Sequence, residues 1–508
     1  MTARVLVIGL DSFDTFLMHE WAEAGVLPNL KAFLETGLWG PMLGFPGIFA
    51  GSTWPSFGTG CSPARHRRFF RLQAREGHYG ETPFEVADIE GRYFWERLSQ
   101  AGKRVAVLDV PLTKLSPIEN GLNLVDWAAH DPASPLPQSS PPTLLEELKD
   151  KFDCMAPDRC DYVDSTPDGT RGLMDTLVQR LENKLAVSSY CLNKDNWDLF
   201  ITVFGESHCV GHHGWHLHDP IHRDYDPDLA TELGDPIKEI YTSLDTAVGK
   251  LMTEAGDGAV TIVVNSEGIG PLYGVAGVLD EILWRLDSRP AISRGQVFRR
   301  LKNLWWDLPA PLRESAPLAL VKRCLHKPLQ RTALISGRKN RRFYAMANNE
   351  SGGAIRINLK GRESHGCVEP GDEYRRLCGF LRDELLALED PKTHEPVVKD
   401  VHKAADLFSG PYLAEMPDLL VDWVKRRPRS VASPRIGTLA VPAPRGRTGD
   451  HLNEGFCLVM GPEVEGGHWT KPRSITDIAP TLGALLDVRL DGLDGEAIPG
   501  LAGAAPKS

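Results

Sequence analysis

The chain of 508 residues lacks several things, and each shortage removes a class of protein. It has no apolar run near the ~18 residues that a membrane-spanning helix needs. It has no excess of positive charge, because 57 Lys and Arg stand against 68 Asp and Glu, a formal net charge of −11. A general nucleic-acid platform needs a basic face and is excluded on that ground. Cysteines are few: nine, an odd number, scattered without the spacing of a disulfide framework. A reducing compartment therefore fits better than export. Strand-forming residues begin at Val5, which leaves no room for a signal peptide before them. Internal repeats and long low-complexity segments are missing too. The expectation is a soluble, cytoplasmic protein with no membrane partner.

Of what is present, the hydrophobic and charged fractions, 42% and 25%, are ordinary for a globular protein. The length suits two to four domains, or one elaborated α/β core. One stretch stands out. Strand formers from Leu199 to Phe204 break at Gly205 into a segment bearing Glu206, His208, His212, His213, His216 and His218. That is how a buried parallel strand delivers polar residues from its C-terminal end, where open α/β sheets place their ligands. His208 and His212 are four apart and share a face if the segment is helical. Neutral imidazoles are the commonest metal ligands, so the pair is a candidate metal site. The competing reading is a solvated polar loop.

The same layout recurs along the chain. Val5 to Leu10 ends at Asp11, which reads equally as a metal ligand or as the cap of the next helix. Ser52 and Thr53, followed by Pro55, read as a helix start. A hydroxyl there can cap the helix or attack an anionic ester. Arg104 to Val110 reads as a strand, and Thr261 to Val264 as another that ends in Asn265-Ser-Glu267. Helical periodicity covers Tyr93 to Gln100, Leu144 to Phe152, Gly172 to Asn193 and Tyr374 to Leu388. Strands alternating with helices predict an α/β protein, a mostly parallel sheet with helices on both faces. Between Arg285 and Arg342 the character changes, with fifteen Lys and Arg against Asp287, Asp307 and Glu314. Residues 285–344 are expected to be a basic helical insertion, or a lid offering charge to an anion, set into a core of residues 1–284 and 345–505.

Several motifs carry a resemblance that runs nearly end to end. They are Thr476-Asp-Ile-Ala-Pro-Thr-Leu482 with Leu493-Asp-Gly495, Gly353-Ala-Ile-Arg-Ile-Asn-Leu-Lys-Gly-Arg-Glu363, Met416-Pro-Asp-Leu-Leu-Val421, and Thr59-Gly followed by Pro63 and His66. Together they resemble the alkaline phosphatase superfamily, in its type I phosphodiesterase/nucleotide pyrophosphatase branch. The resemblance implies a doubly wound sheet with a two-metal site at the strand ends. It puts His208, His212 and His451 at the first metal, with the family's Asp replaced by His208. It puts Asp11 at the second metal, where the family's Asp-His pair falls on Ser266-Glu267. Glu267 can still bind a cation; Ser266 is a poor substitute for a carboxylate.

Family spacing places the attacking hydroxyl near Ala50, which has none, whereas Thr53 lies three residues later in the matching Thr-x-Pro context. Thr53, Ser52 and a metal-bound water all stay open as nucleophile. The implied function is a metal-dependent hydrolase of phosphoric esters. It would use a divalent metal, Zn2+ foremost, as one or two ions, and take a small anionic phosphate ester. His66 and Glu206 are expected to orient the ligand histidines. The alternatives are a single-metal enzyme for another ester or for group transfer, and a non-catalytic protein that binds an anion.

Overall fold

The apolar runs become strands for the reason that selects them in the sequence: a strand covered on both faces has no polar side. β1 (Val5–Leu10) is VLVIGL and is buried at every position. The computed structural model describes residues 4–49, 51–75, 77–128, 136–152, 167–287, 337–348, 352–442 and 446–501. Ala50 and residues 288–336, most of the expected basic insertion, lie outside the described residues. Further strands are β2 (Leu38–Leu43), β3 (Val105–Leu108), β4 (Gly121–Val125), β5 (Gln138–Ser140), β6 (Leu199–Phe204) and β7 (Val260–Asn265). β8 (Gly268–Pro271), β9 (Gly449–Leu452) and β10 (Gly455–Met460) follow in the chain.

A ten-stranded sheet runs β2-β10-β7-β1-β6-β3-β4-β5, extended beyond β2 by the short pieces Gly467–His468 and Arg473–Ser474. β1, β3, β4, β6 and β7 are parallel, while β10 is antiparallel to both β7 and β2. This is the mostly parallel α/β sheet expected from the sequence. The register matters for the site. Leu10 pairs with Phe204, and Gly9 with Val264. Asp11, Gly205 and Ser266 therefore leave the sheet at one edge, level with one another. The antiparallel pair of β8 and β9, distant in the chain, stands beside that edge, with Ile269 opposite His451.

Helices cover the sheet through apolar faces. α1 (Thr53–Thr59) is buried along its whole length. α2 (Pro167–Leu192) and α3 (Glu206–His218) are followed by α4 (Pro236–Ala255). α4 buries Ile237, Ile240, Tyr241, Leu244, Val248 and Leu251, the three-and-four spacing of one helical face. The same helix supplies a cap. The helix Pro28–Thr36 has Leu27 at its N-cap and no side-chain cap of its own. Asp245 accepts from the Leu30 N–H at 2.8 Å and the Asn29 N–H at 3.2 Å in its place.

The chain divides into two compact units, Met1–Phe69 with Glu85–Tyr273 and Ala443–Ser508, and Phe70–Phe84 with Gly274–Pro442. The first holds the large sheet. The second holds a four-stranded antiparallel sheet built from Phe343–Ala345, Gly353–Ile357, Leu419–Trp423 and Val398–Lys403. Two of the sequence motifs meet inside it. Arg356 pairs with Glu363 at 2.8 Å, and Arg362 grips Asp418 with two bonds of 2.9 and 2.7 Å. These charges are mutually satisfied, so the motif around Arg356 is a structural lock; removing one partner of such a pair costs ~3–5 kcal/mol. The C-terminal motif acts in the first unit. Asp494 donates its N–H to the Gly60 carbonyl at 2.9 Å and accepts from the Ser62 N–H at 2.8 Å, which fixes the end of α1. Gly60 sits at φ 64°, and a Cβ there would meet Leu493 Cδ2 at 2.9 Å. Among the described residues, no helix is long and apolar enough to cross a membrane.

Candidate active site

β1 and β6 end side by side, and Ser207 Oγ donates to the Asp11 carbonyl at 2.7 Å, tying the start of α3 to the end of β1. α3 then carries His208 and His212 one turn apart, pointing the same way. The third imidazole, His451, comes from β9 more than two hundred residues later. β9 reaches α3 only because Gly449 lacks a side chain: a Cβ there would lie 2.1 Å from Trp215 Cδ1 and 2.2 Å from the Gly211 carbonyl oxygen. The ligand atoms of His208, His212 and His451 all lie within 4.8 Å of one another.

The hydrogen bonds behind these rings decide which nitrogens face the middle. His212 Nδ1 donates to the Gly449 carbonyl at 2.9 Å, so its Nε2 carries the lone pair. His208 Nδ1 faces Asp11 Oδ2 at 3.0 Å. The Nε2 atoms of His208 and His212 are 3.0 Å apart. Two nitrogens bound at ~2.0–2.1 Å to one tetrahedral ion would be separated by about 3.3 Å. The donor set and spacing therefore fit a single cation held by three imidazoles, with His208 and His212 each backed by an oxygen partner, as metal-ligating histidines usually are.

Asp11 accepts from Trp54 Nε1 at 2.8 Å through Oδ1, while Oδ2 meets His208. Burial alone would raise its pKa, but the His208 charge and hydrogen bond hold it below the usual value. His208 shows the reciprocal effect: burial lowers its pKa, and Asp11 more than compensates and raises it. His212 is held well below the ordinary imidazole value by burial, helped by the charge of Arg447.

Thr53 is the first residue of α1 and is buried. Its Oγ1 lies 3.1 Å from Glu267 Oε2 and equally 3.1 Å from the Phe49 carbonyl, two acceptors for one proton. Ser266 Oγ donates to Thr53 Oγ1 at 3.3 Å. Glu267 also accepts from Ser12 Oγ at 3.4 Å, and its Oε1 is 3.8 Å from His451 Nδ1. Burial, reinforced by the Asp11 charge, pushes the Glu267 carboxyl up to about 8. Two neighbouring carboxyl groups are thus driven apart, Asp11 down and Glu267 up, a pattern that assigns different jobs to two acids in one pocket.

The structure thus gathers Asp11, Thr53, His208, His212, Glu267 and His451 into one buried cluster. Other residues go elsewhere. Ser52 Oγ turns back onto the Ile48 carbonyl at 2.6 Å and caps nothing. His66 binds Ser56 Oγ at 2.8 Å through Nε2 and the Arg68 N–H at 3.1 Å through Nδ1. Glu206 pairs with Arg180 at 2.7 Å. The partners orienting His208 and His212 are Asp11 and the Gly449 carbonyl instead. Ser12 and Trp54 were not singled out by the sequence. Their only signal was adjacency, each directly following a candidate residue.

No protein-family model matches the chain, and no curated protein matches its sequence. Its structure is similar to phosphonoacetate hydrolase from Sinorhizobium meliloti 1021 in complex with phosphonoacetate. The TM-score is 0.54 at 13% identity, over 96% of both chains. The same hydrolase in complex with phosphonoformate matches with a TM-score of 0.53 at 12% identity, again over 96% of each. Human ectonucleotide pyrophosphatase/phosphodiesterase 5 aligns over 97% of each chain with a TM-score of 0.49 at 11% identity. The mostly parallel sheet, its flanking helices and the likeness to phosphonoacetate hydrolase give the chain an alkaline phosphatase-like fold.

Proposed function

We propose that the protein is a metal-dependent hydrolase of phosphoric esters, phosphodiesterase-like, acting on a small anionic substrate. One observation carries the proposal: a threonine hydroxyl and three imidazoles share a buried cluster at the strand ends, with a carboxyl group between them. His208, His212 and His451 would hold a divalent ion, with Zn2+ the best match to an all-imidazole set. When bound, that ion supplies Lewis-acid polarisation of a phosphoryl oxygen. The chain's own groups do the rest. Thr53 Oγ1 attacks phosphorus while its proton passes to Glu267 Oε2, which in its carboxylate form is 3.1 Å away. The ester oxygen departs as an alkoxide that takes a proton from solvent, and a phosphothreonine forms. Water then attacks that phosphorus, one of its protons passing to the departing threonine oxygen. The proton on Glu267 is released to solvent, balancing the one that the alkoxide took and regenerating the base. All six described cysteines are free thiols, which suits a cytoplasmic setting.

The test is hydrolysis of bis-p-nitrophenyl phosphate and p-nitrophenyl phosphate by purified protein, stripped of metal and then reloaded with Zn2+. Zinc-dependent release of nitrophenol that Thr53→Ala abolishes supports the reading. No hydrolysis of either ester with Zn2+ bound would sink it.

A second reading rests on how the other acids are used. Asp11 is engaged by Trp54 and His208, and Glu267 by the hydroxyls of Thr53 and Ser12. That arrangement favours one ion over two, and hence a single-metal enzyme acting on another ester or in group transfer. One bound Zn2+ per chain with no turnover of phosphate esters would select it.

A further inference from the structure

Ser12 borders this cluster, and neither the phosphoric-ester reading nor the metal assignment gives it a part. It directly follows Asp11 at the end of β1 and is fully buried. Its φ of 58° lies in the left-handed region that favours glycine. A non-glycine residue held there at a functional site is over-determined by its surroundings, and the question is what the side chain does. Its Oγ donates to Glu267 Oε1 at 3.4 Å and lies 3.1 Å from His451 Nδ1. It is also 3.5 Å from His208 Nδ1.

A serine hydroxyl has one proton and two lone pairs. With Glu267 in the carboxylate form that the proposed attack requires, the hydroxyl proton is directed to it and the oxygen accepts from His451, so that His451 Nδ1 carries hydrogen. The lone pair of that imidazole is then on Nε2, the same tautomer that the Gly449 carbonyl imposes on His212. Beyond Ser12 the connection continues. Glu267 Oε2 accepts from Thr53 Oγ1, so hydrogen bonds run unbroken from His451 through Ser12 and Glu267 to Thr53.

We infer that Ser12 is a positioning residue that selects the metal-binding tautomer of His451 and couples that ligand, through Glu267, to the Thr53 hydroxyl. The inference rests on the proposed three-imidazole centre and deepens it. Oxygen partners of ligand histidines typically alter metal affinity 10–100-fold when removed.

The left-handed backbone supplies a discriminating variant. Ser12→Gly keeps the backbone conformation without strain but removes Cβ along with the hydroxyl, whereas Ser12→Ala deletes the hydroxyl alone and keeps Cβ. Metal-stripped wild type and both variants would be titrated with Zn2+ against a chromophoric chelator, with circular dichroism confirming the fold. The expected result is a Kd for Zn2+ weakened about 10–100-fold in both variants. A Ser12→Gly protein that binds Zn2+ as tightly as wild type overturns the positioning role while leaving the metal centre intact. Wild type that binds no Zn2+ overturns both. If Ser12→Ala fails to fold, Ser12→Gly decides alone.

Discussion

His208 and His212 present their Nε2 atoms to each other at 3.0 Å. The His212 atom bears a lone pair, because its other ring nitrogen donates to a carbonyl oxygen. Two lone pairs at that distance repel, so the arrangement is stable only with a proton or a cation between them. The Asp11 charge favours a proton on His208 when no cation is there.

From that pair comes the first prediction. His212→Ala or His451→Ala leaves two imidazoles, too few for a closed Zn2+ site. Bound zinc after dialysis should fall from about one ion per chain to a small fraction in either variant, with the far-ultraviolet spectrum retained. Elemental analysis reads this directly, and full occupancy in both variants would refute the assignment.

Thr53 separates nucleophile from scaffold. It stands inside α1 rather than at its cap, and its hydroxyl bonds are to Glu267 and Phe49. Thr53→Ala should lower kcat by several orders of magnitude and stability by only ~1–2 kcal/mol. Thr53→Ser, which keeps the oxygen, should retain part of the rate. Equal kcat in wild type and Thr53→Ala would assign attack to water.

Gly449→Ala tests how β9 is held against α3. The added methyl collides with Trp215 and with the Gly211 backbone, and neither is the flexible end of a side chain. β9 must retreat, carrying the carbonyl that orients His212 and the neighbouring His451 with it. The expected cost is ~1–3 kcal/mol in denaturant unfolding together with weakened Zn2+ binding. Wild-type zinc affinity in this variant would show that the close approach is irrelevant to the centre.

The pH dependence of stability has a separate probe in His66, away from the metal ligands. Burial holds this imidazole down to about 3, against an unfolded value near 6.5. Between those values the unfolded chain binds the extra proton, so stability is greatest above about pH 6.5 and falls as the pH drops towards 3. At about pH 4.5 the contribution is on the order of 2–3 kcal/mol. His66→Gln, whose amide can still donate to Ser56, should flatten that part of the curve in urea unfolding. An unchanged acid slope would place the sensitivity elsewhere.

Much of the fold is local information, and the sequence carries it. The continuous apolar runs in β1, β6 and β7 could only be strands covered on both faces, and alternation with helices forced a mostly parallel sheet. The spacing of His208 and His212 puts them on one helical face by itself. What the sequence alone could not determine is which residues meet. His451 joins the pair because β8 and β9 register Ile269 against His451 and because Gly449 lets the backbones close up. Glu267 faces Thr53 because the start of α1 is packed against the end of β7, although the two residues are 214 positions apart. His66 and Glu206, expected behind the imidazoles, found nearer partners in Ser56 and Arg180. Buried polar groups bond to whatever packing brings within about 3 Å. The part of Ser12 depends on a backbone angle and on three side chains from distant segments. Composition and periodicity encode neither, and only the closed tertiary structure decides them.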